Sequence, residues 1–154
     1  MVDTEDTSPL EAAVARANSW KDLPQSALRA MFATKDRQRT RIAHERLAEI
    51  LGGTTKVPRL RTPIKKGMGF GTRSGIRLYD VLAQGRFIEV KLGDDRVTAL
   101  ELEKDRYLMA LGISVEYHFV CNPCNAKYHK QSDIKVLDDT KIPCKIWGWG
   151  FWNP

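Results

Sequence analysis

An α/β domain with a mixed sheet flanked by helices is the architecture this sequence predicts, and three stretches carry the prediction. Residues 35–51 have helical periodicity and end at Gly52-Gly53. Residues 76–91 form two β-like runs around a short turn. Residues 98–120 read as a capped helix followed by an apolar strand.

In chain order, Ser8-Pro9-Leu10-Glu11 supplies an N-cap, a first-turn proline and an N3 acid, so a short helix should run to about Asn18. A second helix is expected from Pro24 to about Ala33, and a third from Lys35 to Leu51. Residues 54–75 are rich in Pro, Gly and Lys and read as a loop. Ile76–Leu82 and Arg86–Lys91 read as strands of a hairpin turning at Ala83-Gln84-Gly85. Thr98-Ala99-Leu100-Glu101 is a capping box opening a helix that should stop at Gly112, with Leu100, Tyr107, Leu108 and Leu111 as its apolar stripe and Lys104 set within it. Ile113–Val120 reads as a buried strand. The domain division expected is a helical extension over 1–35 and a main domain over 36–154.

The chain has 154 residues, 42% hydrophobic and 29% charged, enough for one core without disulfide staples. No run of 18 apolar residues is present, and the acidic N-terminus lacks the basic-then-apolar pattern of a signal peptide. The net charge of +6 favours polyanionic partners, nucleic acid before membrane, although a solvated basic surface would give the same total. The charge is unevenly placed. Lys56 to Arg77 holds seven Lys or Arg and no acid, interleaved with Gly67, Gly69, Gly71 and Gly75. A glycine-rich basic loop lets backbone approach a phosphate chain, which nominates Lys65, Lys66, Arg73 and Arg77 as nucleic-acid contacts.

Chemistry concentrates in the hairpin. With a two-residue turn at Gln84-Gly85, Leu82 faces Phe87 and Asp80 faces Glu89, which puts two carboxylates about 5 Å apart at their Cβ atoms. Such a pair repels unless a cation lies between them. Lys91 is two residues beyond Glu89 and shares its face. Two carboxylates and a lysine on a basic protein suit phosphodiester hydrolysis, with Mg²⁺ or Mn²⁺ selected by hard oxygen ligands. The same three residues could instead form ordinary ion pairs on a solvated strand face.

Asp80 followed by Glu89-Val90-Lys91 resembles the PD-(D/E)xK nuclease signature. The resemblance implies a restriction-endonuclease-like mixed sheet, with metal on Asp80, Glu89 and the Val90 carbonyl. It implies Lys91 as the activating or charge-stabilising residue and Glu45, within His44-Glu45-Arg46-Leu47-Ala48, as a supporting acid with Glu49 in reserve. Lys104 occupies the place of a site-facing helix residue. Val115-Glu116-Tyr117-His118-Phe119 is similar to the VEWHF strand of restriction-endonuclease-fold domains at the C-termini of bacterial polymorphic toxins, of the contact-dependent inhibition and Rhs type, with Tyr117 in place of Trp. This resemblance spans roughly residues 42–120. It implies a secreted or delivered effector that cuts DNA in the cytoplasm of a target cell, and a cognate immunity protein. The alternative within the same chemistry is a repair or phage nuclease of the same fold, or an RNase.

Several residues have a plain structural reading beside the functional one. Glu45 fits an exposed i,i+4 pair with Arg41. Lys104 fits a side chain snorkelling to water, and His118 a core histidine. Cys121 and Cys124 have the spacing of a zinc half-site that His129 and Cys144 could complete as a structural Zn²⁺ centre. A non-catalytic, zinc-containing nucleic-acid-binding module is therefore the alternative from a different functional class. The terminal Trp147, Trp149, Phe151 and Trp152 suit an aromatic strand on the core, base stacking or contact with an inhibitor protein.

Overall fold

A computed structural model describes residues 2–3, 36–64, 75–93, 95–120, 131–147 and 151. The helices expected over 8–18 and 24–33 lie outside these residues. The described elements are β1 (Val2–Asp3), α1 (Asp36–Leu51), β2 (Leu60–Thr62), β3 (Gly75–Arg77), β4 (Val81–Ala83), β5 (Arg86–Leu92), α2 (Ala99–Ala110), β6 (Val115–Val120), α3 (Gln131–Asp139) and β7 (Cys144–Trp147).

The main sheet has the order β1-β7-β6-β5-β4. β4 and β5 are antiparallel, while β5, β6, β7 and β1 run parallel, so the sheet is mixed as predicted. Parallel neighbours require crossovers, and α2 and α3 supply them. Both helices pack on one face, where Leu108, Ile134 and Leu137 meet Val115, Tyr117 and Phe119. α1 covers the other face, with Ile42, Ala43, Leu47 and Ala48 against Val81, Ile88, Val90 and Leu92. The alternation of β5 and β6 divides their side chains between these layers. Arg46 is fully buried on α1, and its Nε donates to the Phe151 carbonyl at 2.5 Å, anchoring the chain end to the helix.

α1 ends where the glycines require. Gly52 has φ +69, the left-handed conformation that closes a helix with little strain. Gly53 packs so tightly on the hairpin that a Cβ there would lie 2.4 Å from the Leu82 carbonyl oxygen and 2.6 Å from the Ala83 Cβ. Gly53→Ala is expected to cost about 1–3 kcal/mol, measured as a lower denaturation midpoint at unchanged slope.

Four expectations change. The strand expected over 76–82 is two strands. Gly75–Arg77 leaves the hairpin and pairs with Leu60–Thr62, inside the stretch expected to be loop. The expected stripe of α2 is only partly buried. Leu108 is buried, but Tyr107 and Leu111 are exposed, because the helix turns Asp105 inward instead. α3 was not anticipated, since its nine residues carry more polar than apolar side chains. Finally, Val2–Asp3 adds a parallel strand beside β7, so the start of the chain joins the main sheet.

Candidate active site at the β4–β5 edge

The hairpin register is the one the sequence predicts: Leu82 pairs with Phe87 and Ala83 with Arg86. Gln84 and Gly85 both have positive φ, +54 and +73, as a two-residue turn of this hand demands. Regular pairing ends at Val81–Ile88. One residue earlier the Asp80 N–H donates to the Ile88 carbonyl at 2.9 Å, a bulge-like departure that turns Asp80 out of the ladder. Its carboxylate caps the bare edge of β5, accepting the Val90 N–H at 2.8 Å. In a strand the N–H and C=O of one residue point to the same side. The Val90 carbonyl therefore also faces the Asp80 edge, away from β6.

Glu89 and Lys91 point to the α2 face of the sheet. Glu89 is held between two cations: Arg77 Nη1 lies 2.9 Å from Oε1, and Lys91 Nζ 3.4 Å from Oε2. Lys91 is buried and donates to both Glu101 oxygens, at 2.9 and 3.0 Å. Glu101 is also the acid of the α2 capping box, accepting from the Thr98 N–H at 3.0 Å. Behind this pair lies a buried hub. Asp105, 0% exposed, accepts from Arg77 Nε at 2.8 Å, from the Tyr117 hydroxyl at 2.6 Å and from the Tyr79 hydroxyl. The Arg77 guanidinium also stacks on the Tyr79 ring, 4.2 Å from its centroid.

The electrostatics show an excess of negative charge. Glu89, Glu101 and Asp105 pair with two full cations, Arg77 and Lys91, while Asp80 pairs with His44 and meets both cations only through longer-range attraction. Burial, reinforced by the neighbouring Asp80, pushes the Glu89 carboxyl up to about 8 despite Arg77 and Lys91. Burial also raises Asp80, against the opposing pull of His44 and the Val90 N–H. Burial alone would lower the Lys91 ammonium, but Glu89 and Glu101 outweigh it and hold it above its usual value. Burial would raise Glu101 too, yet its bonds from Lys91 hold it below the usual carboxylate range. Burial thus raises both acids at an edge where hard oxygen donors converge.

His44 of α1 approaches from the other face, its Nε2 3.6 Å from Asp80 Oδ1. Burial lowers its pKa, and Asp80 partly restores it. A cleft of about 200 Å³ opens between α1 and the Asp80 bend, lined by Arg41, His44, Glu45 and Thr55 on one side and Leu78, Tyr79 and Asp80 on the other. A larger cavity of about 360 Å³ lies away from these acids, beside Arg86, His118, Lys145 and Trp147. There, His118 is fixed at both nitrogens: Nε2 lies 3.0 Å from Glu116, and Nδ1 accepts the Trp147 indole N–H at 2.9 Å. This is the core histidine of the plain reading.

The structure thus brings Asp80, Glu89, Val90 and Lys91 together. Glu45 lines the Asp80 cleft but is half exposed and pairs with Arg41 at 3.8 Å. Two expected roles change. Arg77, expected as a nucleic-acid contact on an exposed loop, is 5% exposed and committed to Glu89 and Asp105, because β3 carries it beneath the site. Lys104, expected to face the site, donates to the Ile76 carbonyl at 2.9 Å and ties α2 to β3. Lys65, Lys66 and Arg73 lie outside the described residues. So do Cys121, Cys124 and His129 of the expected zinc centre; Cys144 is buried in the core layer with Tyr117 and Phe119.

Three contributors were not singled out from sequence. His44 stands one position before Glu45 in the same helical motif. Glu101 was read only as a cap, although the short β5–α2 connection sets the first turn of α2 beside the end of β5. Asp105 was quoted beside Lys104, but nothing local marks it as a buried hub. No family model matches the chain, and neither the curated proteins nor the solved structures contain a match.

Proposed function

We propose that the protein is a metal-dependent nuclease that hydrolyses phosphodiester bonds in DNA, with Asp80, Glu89 and Lys91 as its central residues. The observation that carries this reading is the β5 edge, where the Asp80 carboxylate caps Val90, Glu89 is squeezed between Arg77 and Lys91, and negative charge remains in excess.

The donor set fits a hard divalent cation. Among the described residues no three His, Cys, Asp or Glu side chains form a ready-made metal cluster. The donors available are two carboxylates and the outward-facing Val90 carbonyl, a combination suited to Mg²⁺ or Mn²⁺ that retain several waters. Such a cation supplies Lewis-acid polarisation of a phosphate and a bound water of lowered pKa. The protein's own residues do the rest. Asp80 and Glu89 provide anionic ligands, Lys91 presents a fixed positive charge to a phosphate gaining negative charge, and Glu101 holds that ammonium in place.

Glu89 must release its proton to act as an anionic ligand. Its folded pKa of about 8 lies above the value of 4.5 for a free glutamate, so the folded protein binds more protons than the unfolded chain between those limits. Without metal, this group's contribution to stability falls as pH rises through that window. With metal, affinity should rise with pH up to about 8 and proton release should accompany binding. Calorimetry of Mn²⁺ binding in two buffers of different ionisation enthalpy reads this directly. Affinity that is flat from pH 6 to 8.5 would contradict the assignment of Glu89.

The activity itself is tested on supercoiled plasmid with Mg²⁺, with EDTA and Glu89→Ala as controls. Cleavage that survives Glu89→Ala would end this mechanism, and a parallel RNA substrate assigns the preferred polymer. The sequence resemblance favours a toxic effector domain of interbacterial competition, delivered into a target cell and neutralised by an immunity protein. That setting predicts growth arrest when the chain is expressed in a bacterial cytoplasm, relieved by the product of an adjacent gene. Among the described residues no helix is long and apolar enough to cross a membrane.

A further inference from the structure

We propose that the cleft between α1 and the Asp80 bend seats a backbone phosphate of the nucleic-acid strand, with Arg41, His44 and Thr55 as its hydrogen-bond donors. The proposal rests on the nuclease reading and adds to it a substrate-binding surface on α1.

Four observations converge on this cleft. It opens onto Asp80, a partly exposed acid of the candidate site, so a strand lying in it passes the reacting edge. Its walls carry an arginine, an imidazole and a hydroxyl, the side chains that commonly contact phosphate oxygens. Leu78, 52% exposed, offers an apolar surface to a sugar at the same opening. Finally, the Arg41 guanidinium is weakly committed: its pair with Glu45 spans 3.8 Å between side chains that are 68% and 53% exposed. An exposed i,i+4 pair of that kind contributes little, so a phosphate can displace Glu45.

The cleft also contains two acids, Glu45 and Asp80. Without a divalent ion it is not a basic surface. Strand binding there should therefore depend on an ion that neutralises Asp80 and Glu89, a dependence that a purely basic loop would not show.

The test is fluorescence anisotropy of a short fluorescein-labelled DNA duplex, titrated with intact protein in Ca²⁺ or EDTA over a range of salt concentrations. Binding should be tighter in Ca²⁺. Arg41→Ala should weaken it about five-fold and reduce the slope of log affinity against log salt by about one, as the loss of one phosphate contact does. Arg41→Lys should keep the slope. His44→Ala should weaken binding several-fold, Glu45→Ala should tighten it, and Arg106→Ala, on the exposed face of α2, should change nothing. Thermal melts confirm that each variant is folded.

Unchanged affinity and salt slope in Arg41→Ala and His44→Ala would overturn the proposal, as would a duplex that does not bind in Ca²⁺. A duplex bound with the expected dependences but never cut in Mg²⁺ would uphold the cleft and defeat the nuclease reading. Normal cutting alongside unaltered binding by both variants would do the reverse.

Discussion

Lys91→Met is expected to reduce Mg²⁺-dependent cleavage by about a thousand-fold while the protein remains folded and still binds metal. The magnitude is that of removing a positioned charge from a developing anionic transition state, about 3–4 kcal/mol. The geometry makes the substitution informative. The ammonium is held by both Glu101 oxygens and flanked by Glu89, so it is already placed before substrate arrives. Methionine preserves most of the buried stem and deletes only the charge. Single-turnover cleavage reports the loss, and a Mn²⁺-induced shift in melting temperature reports whether the metal ligands survive. Cleavage within ten-fold of the unaltered protein would remove Lys91 from the mechanism.

Asp105→Ala is expected to be the most damaging single change to stability, at about 3–5 kcal/mol, or roughly a 10 °C fall in melting temperature for a chain of this size. Asp105 is completely buried and accepts from three donors on two strands and the segment that joins them to the hairpin. Its removal leaves the Arg77 guanidinium beneath the sheet with only Glu89 and the more distant Glu101 for charge balance. Asp105→Asn should cost less, because it retains an acceptor. Replacing Arg77 and Asp105 together by Met and Leu should recover much of the loss, since a buried ion pair can often be exchanged for apolar packing. If the double variant is as unstable as Asp105→Ala, the shape of the hub matters more than its charge. Tyr117 belongs to the same hub, its hydroxyl donating to Asp105 and accepting from Arg77.

The legible parts of the fold were those governed by local physics. Gly52 after α1, Gln84-Gly85 between β4 and β5, and Thr98 with Glu101 at the start of α2 each act within a few residues, and each appears where the sequence places it. Glu89 and Lys91 were legible for the same reason, since strand alternation fixes their relation. What escaped was set by distant partners. Ile76 and Arg77 look continuous with the hairpin, yet β3 pairs with Leu60–Thr62, a distant partner that the local pattern does not specify. Arg77 then becomes an internal counter-ion, whereas its neighbours in sequence suggested a phosphate contact. α2 shows an apolar stripe at Tyr107 and Leu111, but the orientation that satisfies Asp105 leaves both in solvent. Asp80 is the intermediate case. Its nearness to Glu89 was predictable, whereas the bulge that takes it out of register and onto the edge of β5 was not.

Glu101 belongs at once to the first turn of a helix and to the lysine on the preceding strand. A nascent chain grown only to Gly93 would already contain Asp80, Glu89 and Lys91, yet it would lack the carboxylate that pins the ammonium and the Asp105 and Tyr117 that seat Arg77. The proposed site is therefore complete only once the β5-α2-β6 crossover has closed. On the nuclease proposal, an unfolded form of this polypeptide is expected to be inactive, with activity appearing only in the completed fold.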